Sequence, residues 1–247
     1  DTNFGCKKTV STAITWFFEH NEEGIIIEYD CLPNEDFFIF CKQMLELYRS
    51  DTRVMCISGN NFQDGIIRGD GSYYFSKLAT IWGWATWKRA WKYWEGSLST
   101  FPDFTNQKVL DSVTSDSKSK NHWHGKFRDV YKGVNRSTWG FPWVYAVICQ
   151  GGLCVTPNVN LVTNIGFTAD ATHITNKNDP FAFLPTKPLT EIKSPSFIVP
   201  DGEADIYFSR KLTIIPFSLR IRLFIIRNIW PFLPNIAVKT IKRFLKK

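Results

Sequence analysis

The order of segments in this chain predicts an α/β fold with a mixed, mostly parallel sheet flanked by helices. Helix-patterned and strand-patterned runs alternate from Cys6 to Ser58, and that alternation is the grammar of a parallel sheet covered by helices. The run Gly24-Ile25-Ile26-Ile27 is short, apolar and β-branched, the pattern of a strand buried on both faces. It ends in Glu28-Tyr29-Asp30-Cys31 before breaking at Pro33. Open α/β sheets hold their ligands at the carboxyl ends of such strands.

Each element has a local reason. Val10, Ile14, Phe17 and Phe18 recur on one side of a helix over 6–19, and a strand over 24–29 follows. Asn34 is placed to cap a helix running to about Arg49, with Glu35 and Asp36 in its first turn. Phe37, Phe40, Cys41, Met44, Leu45 and Tyr48 repeat at helical spacing along it. Val54–Ile57 reads as a second strand, 60–72 as a Gly- and Asp-rich loop, and 73–75 as a strand. Thr86–Trp94 reads as a short aromatic helix and the polar stretch 98–122 as a helix with an exposed connection. Trp139–Gln150 is helical and stops at Gly151-Gly152, after which 153–156 is a strand. Five prolines make 177–205 an irregular linker. The domain reading is thus a body over 1–176, this linker, and a C-terminal helical tail over 206–247.

Composition bounds the function. With 44% hydrophobic residues in 247, the chain folds around a substantial core rather than remaining disordered. Six cysteines without a CxxC pair point to reduced thiols and a cytoplasmic setting. The net charge of +7 is uneven: ten Lys or Arg and no acid fall within 206–247. The remainder is net acidic, which excludes a general nucleic-acid-binding surface. Within the tail, Ile236, Val238, Ile241, Phe244 and Leu245 oppose Lys239, Lys242, Arg243 and Lys246. Such a helix either lies on an anionic membrane, at the inner face of the plasma membrane, or packs its apolar side on the body.

The residues themselves leave several chemical assignments open. Glu28 and Asp30, one residue apart, share a side of an extended chain and can hold a hard cation such as Mg2+ or Mn2+. A solvated turn accounts for the same pair. Gly5, Lys7 and Lys8 stand at a helix start, where a phosphate or plain solvent suits the lysines. His122 and His124 lack a third ligand nearby in sequence.

Taken in order, Gly5-Cys6, Glu28-Tyr29-Asp30-Cys31-Leu32-Pro33, Ser58-Gly59-Asn60 and the Trp82–Trp91 box form a specific series. With Asn160–Phe167 and Ala171-Thr172-His173, they resemble the bacterial GT-A-type, family 2-like glycosyltransferases over roughly residues 1–175. The resemblance implies a Rossmann-like, GT-A-like catalytic domain whose first strands precede Asp1. It implies a nucleoside-diphosphate sugar donor and a glycan or lipid-linked acceptor. It assigns Asp30, Glu28 and His173 to the metal, and Gly5, Lys8, Glu28 and Asp30 to the donor nucleotide. Trp82, Trp84 and Trp143 are assigned to the acceptor, although tryptophans at these positions also suit a core. Two departures stand out. Tyr29 replaces the middle carboxylate of a Glu-Asp-Asp pattern, and Gly140 stands where similar proteins carry an acid that would serve as base. Asp129, Glu95 and Asp103 are the substitutes the sequence offers for that base.

Overall fold

The computed structural model describes residues 4–167 and 179–213. The chain opens with α1 (Gly5–His20), then β1 (Glu23–Ile26), β2 (Cys31–Pro33), α2 (Glu35–Leu47) and β3 (Val54–Ser58). After a long loop come β4 (Tyr73–Ser76), β5 (Trp84–Trp87) and α3 (Lys88–Trp91). Three helices follow, α4 (Phe101–Asn106), α5 (Leu110–Val113) and α6 (Ser117–Tyr131). The order closes with α7 (Gly140–Cys149), β6 (Leu153–Pro157), β7 (Val162–Asn164) and α8 (Gly202–Leu212).

The α/β class holds, but the sheet is mixed rather than mostly parallel. Its five strands lie in the order β1-β5-β3-β6-β4, and only the β3–β6 pair is parallel. β1, β3 and β6 still run the same way. The alternation of helix and strand therefore set their direction, and β5 enters antiparallel between the first two. β1 is an edge strand, and its residues are half-buried rather than covered on both faces. One face lies under α1, where a Cβ on Gly24 would overlap the Phe17 ring.

The predicted helices over 6–19, 34–49 and 139–150 form with boundaries close to those expected. Asn34 caps α2 as its sequence implies, its side chain accepting from Phe37 N at 3.1 Å. The aromatic segment does not begin as a helix, because Trp84–Trp87 is a fully buried strand that turns into α3. The polar stretch after residue 98 is broken into three helices, and Asp116 caps the last of them through Ser119 N. The core lies between α2 and the sheet, with Phe37, Phe40, Met44, Val54, Ile57, Tyr73 and Val155 buried together.

Residues 179–200 are irregular, as five prolines require, yet they are stitched to the body. Asn34 Nδ2 donates to Lys187 O, Leu189 N to Asp36 Oδ2, and Lys187 N to Asn160 O. α8 crosses the expected boundary at 205–206. Two compact units divide instead at Lys211 and Leu212. α8 is fixed by Trp123 Nε1 donating to Ser209 Oγ at 2.9 Å and by an Arg210–Asp116 ion pair at 2.7 Å. No helix among the described residues is long and apolar enough to cross a membrane.

Asp205 of α8 is almost fully buried and accepts from Ser76 Oγ and Lys77 N. Burial pushes its carboxyl up to about 7, against the pull of those hydrogen bonds. Through the window from its ordinary 3.8 to about 7, the folded chain holds a proton that the unfolded chain releases. Stability therefore falls as pH rises through that window. Asp205→Asn is expected to flatten this dependence, an effect of about 4 kcal/mol at most across the window. Urea midpoints on either side of the window check it, and an unchanged slope would rule Asp205 out as its source.

Candidate active site

The acidic run sits in a turn that is clamped from two sides. β1 ends at Ile26, so Glu28 and Asp30 are brought together by a turn, not by continued strand. Cys31 N donates to Glu28 O at 3.0 Å to close that turn. β2 then pairs with β7, Cys31 opposite Asn164, and Ile165 N donates to Asp30 O at 2.8 Å. The next loop presses close. A Cβ on Gly166 would overlap Asp30 Oδ2, so only glycine lets the backbone approach this carboxylate. Asn164 Oδ1 holds Gly166 N at 2.7 Å and fixes that approach.

Electrostatics mark the pair. Glu28 is half-buried, and burial followed by the charge of Asp30 pushes its carboxyl up to about 7, although the Trp139 side chain hydrogen-bonds to it. Cys6, in the first turn of α1, lies close enough to both acids that burial and their charges raise its thiol. Cys31 is raised the same way and points its Sγ at Asp30 Oδ1, 3.5 Å away. Two carboxylates held together in a half-buried turn repel each other, and a bound cation relieves that repulsion. The donor set, two carboxylates with open positions, fits a hard divalent ion. No group of three His, Cys, Asp or Glu among the described residues could hold a metal by itself. His173, the third ligand the resemblance implies, lies outside the described residues.

The other predicted residues scatter more. Gly5 opens α1 at φ +76°, a left-handed conformation that glycine tolerates. Lys8 is exposed, with its ammonium over the Phe4 ring. Lys7 instead donates to Gly96 O, and burial lowers its pKa. Tyr29 is 90% exposed, so the middle position of the acidic run faces solvent.

Trp84 and Trp143 are fully buried and belong to the core, so neither presents a ring to an acceptor in this structure. They pack with Trp91 and Trp139 at centroid distances of 5.4–6.1 Å. Trp82 is the partly open member of the acceptor set, set edge-on to Phe62, Phe167 and Phe181. The Trp82 backbone N–H donates to Asn60 Oδ1, and Asn60 Nδ2 donates to Val162 O. Ser58-Gly59-Asn60 thus ties β7 to the tryptophan box. A Cβ on Gly59 would overlap Phe37 and Val162.

The three substitute bases are not in the clamped turn. Asp129 pairs with Arg128 on α6 and Asp103 is exposed on α4. Glu95 lies near enough to α1 for its charge to act on Lys7. Burial would raise its carboxyl, but hydrogen bonds from Ser97 and Ser99 outweigh that and hold it below the usual range, which makes it a weak base. At Gly140 a Cβ would overlap Ile81 Cδ1. A side chain there would have to displace the end of Ile81. Trp139 and Cys6 are the site residues that sequence reasoning left without a role. Their signal was adjacency, Trp139 to the anomalous Gly140 and Cys6 to Gly5.

No protein-family model matches this chain, and none of the curated proteins matches it significantly.

Proposed function

We propose that the protein transfers a sugar from a nucleoside-diphosphate donor to a hydroxyl acceptor, with inversion, as in the GT-A-type, family 2-like glycosyltransferases its motifs resemble. The observation that carries this reading is the Glu28–Asp30 turn, two mutually repelling carboxylates beside the first turn of α1 and against the Gly166 backbone. Asp30 and Glu28 would hold Mg2+ or Mn2+ there, and the bound ion supplies Lewis-acid neutralisation of charge building on the leaving diphosphate. Lys8 and the N-terminal turn of α1, whose Cys6 senses both acids, would favour the donor's phosphates. Trp82 offers the acceptor sugar a partly open ring. The acceptor oxygen attacks the anomeric carbon as the diphosphate leaves. None of Glu95, Asp103 or Asp129 is assigned as the base.

Calorimetric titration of UDP-, GDP- and TDP-sugars into the protein, with and without Mn2+, tests the reading. Metal-dependent binding of at least one donor is expected. Its absence for all three would sink the proposal.

A non-catalytic, carbohydrate-binding relative on the same fold is the second reading, and Gly140 and Tyr29 favour it, because neither supplies the acid expected at its position. Glycan binding that needs neither nucleotide nor metal, without turnover, would select it. For the tail, the proposed partner is an anionic membrane at the cytoplasmic face, drawn by ten basic residues without an acid over 206–247. That placement brings a lipid-linked acceptor within reach.

A further inference from the structure

Five tryptophans of the core pack ring against ring and place their N–H groups differently. Trp84, Trp91, Trp94, Trp139 and Trp143 are linked at centroid distances of 5.4–6.1 Å. Trp91 Nε1 donates to Thr15 Oγ1 of α1 at 3.0 Å, and Trp94 Nε1 donates to Trp139 O at 3.1 Å. The Trp84 N–H is buried without a partner. Trp139 instead directs its side chain to the Glu28 carboxylate. An indole nitrogen can only donate, so this bond occupies part of the carboxylate's acceptor capacity and leaves the rest open. The core leaves Trp84 unpaired, so pairing Trp139 with an acid is not a requirement of packing.

Trp139 has little freedom to move. It is buried at the N-cap position of α7, and its ring stacks on Trp84 at 5.7 Å with 24° between the planes. Its carbonyl is held by Trp94, and the backbone of Gly140 beside it lies against the end of Ile81. Asp30 is confined separately, by the Gly166 backbone that Asn164 Oδ1 fixes. Each acid of the turn thus has its own support from a distant part of the chain, the 164–167 loop for Asp30 and the start of α7 for Glu28. A carboxylate with one oxygen on a fixed donor presents the other in a fixed direction, which is how neighbours of metal ligands orient them.

We infer that Trp139 is a positioning residue for the cation: its N–H fixes one oxygen of Glu28, so that the other stays directed to an ion shared with Asp30. This role rests on the reading of the turn as a donor and metal site, and adds the residue that orients one of its ligands. The tryptophan stack then serves as a rigid mount for one hydrogen-bond donor. Trp139 acts through Glu28, not on the ion or the sugar.

Calorimetric titration of Mn2+ alone into the full chain, without nucleotide, tests this role. The wild type is expected to bind the ion. Trp139→Phe keeps a stacked ring but removes the N–H, and should bind Mn2+ about tenfold more weakly, the lower end for losing a group that orients a metal ligand. Benzothienylalanine at position 139 keeps the shape of the indole with sulfur in place of the N–H. It should match Trp139→Phe in Mn2+ affinity and the wild type in thermal melting, and it decides the question even where the Phe variant does not fold. Trp143→Phe removes an indole from the same stack, one ring away from Trp139. It should lower Tm and leave Mn2+ affinity unchanged, an outcome that a merely structural role for the stack would not give. Unchanged affinity with either replacement at position 139 would overturn the inference and leave the sugar-transfer reading standing. A loss in Trp143→Phe as large as that at position 139 would overturn it too, since stability of the stack would then account for both. No Mn2+ binding by the wild type would also overturn it, while Mn2+-dependent binding of the donor sugars judges the sugar-transfer reading separately.

Discussion

Replacing Trp84 with alanine is expected to destabilise the fold by about 4 kcal/mol, the range for removing a buried Trp side chain. The ring has no exposed surface and stacks on Trp139 at 5.7 Å, with Trp91 and Trp143 at its other sides. Its indole N–H has no hydrogen-bond partner, so the loss is packing and dispersion alone. Trp84→Phe should therefore recover much of the loss, which a hydrogen-bonded tryptophan would not allow. Urea unfolding followed by circular dichroism measures both variants. A cost below about 1 kcal/mol for the alanine would contradict a core role, since such values belong to surface positions. The effect also reaches the candidate site, because Trp139, stacked on Trp84, hydrogen-bonds Glu28.

The same residue shows why part of this fold was legible in the sequence and part was not. α2 could be read because its signals are local: the Asn34 cap, the acids of its first turn, and apolar positions at helical spacing. The strand at Trp84–Trp87 is four residues long and buried on both faces, so neither a period of two nor one of 3.6 emerges from it. β2 and β7 are shorter still and exist through pairing across the length of the body, information that no local window holds. Strand direction was half legible. β1, β3 and β6 are co-directional as the alternation requires, but insertion of β5 depends on which strand best covers the Ile25 and Ile57 edges.

The site divides the same way. The acidic run could be found from sequence, because two carboxylates after an apolar strand are a conspicuous local contrast. Its surroundings could not. Trp139 reaches Glu28 and the Gly166 backbone reaches Asp30 only after the chain folds. The tryptophans were harder still, since an aromatic ring suits a core and a sugar platform equally until its exposure is known. Burial separates Trp84 and Trp143 from Trp82.

Asp30→Ala is expected to abolish metal-dependent donor binding, with little effect on stability because its carboxylate is only partly buried. Removing one of two carboxylate ligands from a hard-cation site leaves Glu28, whose carboxyl already titrates near 7 and loses its charged neighbour. Gly166→Ala gives the sharper test, because it keeps both acids. The added methyl would occupy the position of Asp30 Oδ2, so either the carboxylate turns away or the 164–167 loop shifts. Both outcomes separate Asp30 from Glu28, and donor binding should weaken by roughly a hundredfold, the upper range for displacing a group that orients a metal ligand. Asn164→Ala, which frees Gly166 N, should weaken binding in the same direction and by less. Titration of the donor sugar with Mn2+ measures all three variants, and thermal melting guards against misfolding. If Gly166→Ala binds the donor as the wild type does while Asp30→Ala does not, Asp30 acts without the backbone that confines it. If neither variant loses binding, the turn is only a solvated end of β1.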